Sequence, residues 1–192
     1  MERSRSFGAL GAAVLALAVA ARIAVPVPEA LGGVPITGQS SAALIAGALL
    51  GPRRGALAAA AYIALAAVGA PVLAEGRGGW DAVRGSSAGY LAGFVLGATA
   101  AGALSPPGRP PHLRRELAAQ LAGTTLILLC GWARLAALRG VGPAYAGGVE
   151  PFLIGGCVKV VFGALLVHGL RRLAWRRRKI SGSLHPRPGS RQ

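Results

Sequence analysis

Lys159 is the only formal charge in the run of twenty residues from Pro151 to Leu170. An ammonium there costs about 2.5–3.5 kcal/mol if the run crosses a bilayer near its centre. Two roles can offset that cost. The lysine snorkels or pairs with a carbonyl, or it serves as counter-charge for a ligand carboxylate at the base of a pocket, eight residues or ~12 Å beyond Pro151 along a helix. Arg84 and Arg134 are rival cations, for which interfacial anchoring competes with binding.

Other reactive residue types are sparse. "GSSAG" at Gly85–Gly89 satisfies G-x-S-x-G with Ser87 as nucleophile, but that elbow needs a strand, a sharp turn and a base. His112, His168 and His185 are expected at the opposite end of the molecule, so a membrane-embedded serine hydrolase is the minor alternative. "GPRRGA" lacks the lysine and hydroxyl of a phosphate-binding loop. Every Asp and Glu is expected in a loop or terminus, which leaves no paired carboxylates for a proton relay. Cys130 and Cys157 read as small apolar residues without companion metal ligands. No catalytic residue, cofactor or metal is expected.

What remains is a set of polar and glycine residues: Thr37 and Gln39 in "VPITGQS", Arg84, Ser86, Ser87 and Tyr90 in "GGWDAVRGSSAGY", and the stretch "GGVEPFLIGGCVK". Hydroxyls, an amide, an aromatic ring and a cation suit a small ligand with apolar and anionic parts. Each has a structural alternative. Thr37 and Gln39 can cap a helix start, and Tyr90 and Trp132 can simply pack.

The elements that must position these residues are legible from composition. The 192 residues are 53% hydrophobic and 14% charged, with 30 glycines, too apolar for a soluble domain of this size. Charge-poor runs near 7–25, 35–51, 55–73, 85–104, 117–138 and 151–170 predict an all-α membrane protein, a bundle of six transmembrane helices. With the N-terminus cytoplasmic, fifteen of the 21 Lys and Arg residues lie on the inner side, which predicts both termini inside. Residues 1–6 would form a cytoplasmic N-terminus, 7–172 the membrane domain and 173–192 a basic, disordered tail. "RRLAWRRRK" reads as a topology anchor attracting anionic membrane lipid rather than as a nucleic-acid site. The first helix competes with a cleavable signal peptide. Its small residues Ala12, Ala16 and Ala20 suit either internal packing or docking of another membrane protein.

The segments "VPITGQS", "LIAGALLGPRRGALA", "GGWDAVRGSSAGYLAGF" and "GGVEPFLIGGCVK" stand in the order and spacing of the BioY family, which the chain resembles from about Ala9 to Gly169. The resemblance implies a biotin-binding substrate component of an energy-coupling factor (ECF) transporter in the cytoplasmic membrane of a prokaryote. Its partners would be biotin, a transmembrane scaffold subunit and cytoplasmic ATPases. Gly85, Gly89 and Tyr90 match the pattern Gly-Pro-Thr-Gly-Gly-Tyr, with Ser87 keeping the hydroxyl. Pro151, Phe152, Gly155 and Lys159 match Pro-Phe-x-x-Gly-Asp-x-x-Lys, but Gly156 stands at the aspartate. The implied binding set is Thr37, Gln39, Arg84, Ser87, Gly89, Tyr90, Gly155, Gly156 and Lys159. The departure at Gly156 keeps open a different small vitamin or a biotin analogue.

Overall fold

The structure, a computed structural model, describes residues 2–25 and 36–183. Eight α-helices account for most of them: α1 (Glu2–Ala20), α2 (Gln39–Leu50), α3 (Pro52–Ala67), α4 (Trp80–Arg84), α5 (Ala88–Leu104), α6 (Leu113–Arg139), α7 (Val141–Gly148) and α8 (Glu150–Ser183). A two-residue antiparallel pair, β1 (Ala24–Val25) with β2 (Ile36–Thr37), ties the end of α1 to the start of α2.

α6 and the Glu150–Arg177 portion of α8 are each long and apolar enough to cross a bilayer. The other elements are shorter than their apolar runs. In the run 35–51 only Gln39–Leu50 is helical, because β2 takes up its start and Gly51 ends it at φ 89°, a left-handed angle open to glycine. Pro52 then opens α3, where a missing N–H costs nothing. Two stretches expected as connections are partly helical: α4 precedes the fourth apolar run and α7 precedes the sixth. α8 continues to Ser183, so the basic run 171–179 is helical; residues 184–192 lie outside the described ones.

α5 sits at the centre and packs against α2, α3 and α6; α8 closes the bundle against α6 and α2, and α1 lies outside on α2 and α3. Helices this close need small residues at their crossings. A side chain on Gly47 would overlap the Ala98 backbone, and one on Gly131 would overlap the Tyr90 ring. The outward faces are apolar rather than polar. Ile154, Val158, Phe162 and Leu165 on α8, and Leu57 and Leu65 on α3, are all exposed, the inverse of a water-soluble bundle.

Of the acids expected in loops, Asp81 and Glu150 fall in the first turns of α4 and α8, and one is buried. Glu116 is not loop-exposed but fully buried in the first turn of α6, paired at 2.8 Å with Arg171 of α8. The Ser105 hydroxyl donates to Glu116 and accepts from Arg171. Arg171 also donates to the carbonyls of Ala48 and Ser105, so one guanidinium joins the ends of α2, α5, α6 and α8. Each charge gains several partners, which burial of an ion pair requires.

Candidate functional site

At the end of the bundle away from that clamp, a cavity encloses about 740 Å³ of empty space, part of it at an open mouth. Helical spacing explains which side chains reach it. On α8, Phe152, Gly156 and Lys159 fall at i, i+4 and i+7; just before and on α5, Ser87, Tyr90 or Leu91, and Phe94 recur on one face; on α6, Thr124 is followed by Ile127 and Leu128. Thr37, Gln39 and Ser40 close the cavity from β2 and α2, while Leu73, Ala74, Arg77 and Ala82 cover it from the α3–α5 connection.

The polar groups are held in fixed orientations. Lys159 Nζ donates to the Thr37 carbonyl at 2.7 Å and approaches Ser40 Oγ at 3.4 Å. Among the described residues no carboxylate or histidine lines the cavity, and none of their acids pairs with the ammonium. The Thr37 hydroxyl donates to Gln39 Oε1 at 2.9 Å, Gln39 Nε2 donates to the Tyr62 hydroxyl, and Tyr62 donates to the Val72 carbonyl at 2.8 Å. This chain runs from the cavity wall to the connection that covers it. Neither Thr37 nor Gln39 therefore caps α2, whose N-cap Gly38 has no side-chain cap bond.

The apolar walls are aromatic. Tyr90 and Phe152 stack with ring centroids 5.6 Å apart, and the Tyr90 hydroxyl donates to the Gly148 carbonyl at 2.5 Å. That bond fixes the α7–α8 junction and leaves the ring as the surface offered to the cavity. The Arg77 guanidinium stands at the mouth, exposed and 3.6 Å from Glu75.

Of the residues the sequence singles out, the structure brings together Thr37, Gln39, Ser87, Tyr90, Gly156 and Lys159. Arg84, Gly89 and Gly155 do not line the cavity. Arg84 pairs with Asp81 at 2.5 Å on the exposed side of α4, and its carbonyl accepts from Arg134 at 2.7 Å, which occupies the second rival cation as well. Gly89 lets α5 approach Cys130 and Arg134 of α6 closely, and Gly155 faces Ile36. Trp132 packs against the hydrophobic core. Ala12 and Ala16 lie on the exposed face of α1 while Ala13 and Leu17 are buried; Ala20 is half-buried near Gly38.

Sequence reasoning missed Arg77, Ser40, Phe94 and Thr124. Phe94 was recoverable, being four residues beyond Tyr90 on one helical face. Arg77 and Thr124 carry no such marker, because a loop brings in the first and an α6–α8 crossing the second. Ser87 is the N-cap of α5 with helical angles (φ −77°, ψ −10°), not the strained turn of a nucleophile elbow, and no histidine or carboxylate stands among the described lining residues.

The cavity can therefore hold a small molecule by aromatic contact and fix an anionic end through Lys159, with neutral donors and acceptors from Thr37, Gln39, Ser40, Ser87 and Thr124. The BioY family profile matches residues 3–176. The chain is 36% identical to the biotin transporter BioY of Rhizobium etli over 82% of this chain and 88% of that one. It is 34% identical to the biotin transporter BioY of Thermotoga maritima over 82% and 90%. The crystal structure of the S-component for biotin from an ECF-type ABC transporter superposes with TM-score 0.77 at 23% identity, covering 89% of this chain and 93% of the other, which is a likeness of fold.

Proposed function

The chain belongs to the BioY family, and from that premise we propose that it captures biotin outside the cytoplasmic membrane and serves its uptake as the substrate-binding subunit of an ECF-type transporter. It is a transport subunit and not an enzyme. ATP hydrolysis falls to cytoplasmic ATPase subunits, joined to this chain through a transmembrane scaffold. Six spans with both termini inside place the cavity at the outer face and the basic end of α8 at the inner one, in keeping with the positive-inside bias.

The observation that carries the reading is Lys159: an ammonium inside an apolar, aromatic-walled cavity, satisfied by a carbonyl and a hydroxyl and by no acid among the described residues. A ligand carboxylate would exchange that backbone bond for an ion pair, while the fused rings rest against Tyr90, Phe94 and Phe152 and the ureido group meets the hydroxyls and amide. Arg84, Gly89 and Gly155 then act by positioning helices rather than by touching ligand.

A second reading has one specific support. A Cβ on Gly156 would meet Thr124 Cγ2 at 3.7 Å, an ordinary contact, so nothing crowds out a Cβ where the family pattern has aspartate and this chain has none. Without that acceptor the ring specificity is open to a biotin analogue or another small vitamin. Calorimetry on detergent-purified protein separates the two. Biotin should bind stoichiometrically and outcompete ring-altered analogues; folded protein that releases no heat with biotin but binds another vitamin carboxylate would replace the first reading by the second.

A further inference from the structure

A second hollow lies at the other end of the bundle, beside the Glu116–Arg171 clamp. It encloses about 580 Å³ of partly open space between Leu49 at the end of α2, Pro107, Gly108 and Arg109 of the α5–α6 connection, and Leu170, Arg171, Ala174 and Trp175 of α8. Its walls are fixed. Arg171 is bonded to Ala48, Ser105 and Glu116, and Pro107 packs on the α2–α3 turn at Gly51. One flank is apolar (Leu49, Leu170, Ala174) and continues into the exposed hydrophobic face of α8, where Leu166 and Leu170 are open.

Its polar side has one sign. Arg109 is exposed, and no ion pair or hydrogen bond is recorded for its side chain among the described residues; Arg172, Arg176 and Arg177 are exposed on the neighbouring turns of α8. The only carboxylate described near this end, Glu116, is fully buried and already paired, so it does not cancel the surface charge. Half-buried Trp175 adds an indole at the level where a membrane interface would lie.

We propose that this hollow is a discrete site for one anionic phospholipid, its phosphate on Arg109 beside Trp175 and its acyl chains along Leu49, Leu170 and the outer face of α8. Basic recesses between membrane helices on the inner side bind such headgroups. A diffuse attraction to anionic lipid would follow from net charge alone; a site demands that particular residues matter more than their charge. The inference rests on the chain spanning a membrane and not on what its outer cavity binds.

The test is native mass spectrometry of delipidated protein in nanomolar detergent-exchanged samples titrated with phosphatidylglycerol, phosphatidylcholine or inorganic phosphate, with monodispersity and thermal unfolding recorded for each variant. The expected result is a single retained phosphatidylglycerol, with retention at least fivefold lower for R109Q and unchanged for R53Q, which removes one exposed charge outside the hollow. Equal retention of phosphatidylcholine, or equal losses in R109Q and R53Q, would overturn the site. Saturation by inorganic phosphate at comparable concentration would assign the hollow to a free anion instead.

Discussion

Lys159 carries the proposed function in one side chain. Its ammonium is held by Thr37 and Ser40, which fixes a cation in the cavity wall. Lys159→Ala should weaken biotin binding by about 1.5–3 kcal/mol, the range for a charge-assisted hydrogen bond, with calorimetry as the measurement. The carboxyl-masked ester should bind wild type and variant alike. Equal losses for acid and ester would show instead that the lysine shapes the wall through its bonds to the β2–α2 turn. Lys159 was legible in the sequence because a charge in an apolar run is costly and demands an explanation. Arg84, one residue before an apolar run, was a rival by its charge alone and pairs with Asp81, since charge does not tell which way a side chain points.

Among the elements, α8 does the most positioning: its start supplies Phe152, Gly156 and Lys159 to the cavity, and twelve residues past Lys159 it supplies Arg171 to the clamp. α6 answers it with Thr124 at the cavity and Glu116 at the clamp. The two ends are thus fixed by the same pair of helices. Glu116→Ala should leave the guanidinium unpaired in a buried setting and destabilise the bundle by about 3–5 kcal/mol, read as a lowered midpoint of thermal unfolding in detergent. Biotin affinity measured below that midpoint should change little, because the clamp touches none of the cavity residues. This pair escaped the sequence reading, which took every acid for a loop or terminal residue; Glu116 follows "LRR", and only the packing of α8 shows that its partner comes from fifty-five residues away.

At the scale of the whole molecule, α1 lies on the outside of the bundle, with Ala12 and Ala16 turned outward beside exposed Leu15 and Val19. Under the proposed function, that face would take the close approach of a helix of the scaffold subunit. Ala12→Leu with Ala16→Leu should abolish co-purification of the scaffold and ATPases and leave biotin binding to the isolated chain intact; loss of binding as well would place the stripe in internal packing. The sequence by itself determined the class of molecule, an apolar helical protein, and singled out Lys159, because apolar run length and a lone charge within such a run each express a solvation cost that no fold can evade. Helix ends were less legible, since Gly51 and the β1–β2 pair cut α2 to twelve residues inside a longer apolar run. Only the tertiary structure decided that Arg77 and Thr124 meet Lys159 at one cavity, that Arg84 faces away and that Glu116 is buried. Those facts depend on which helices cross and at what height, and crossings are set by glycines such as Gly47 and Gly131, whose lack of a side chain says nothing in the sequence about what comes to fill the space.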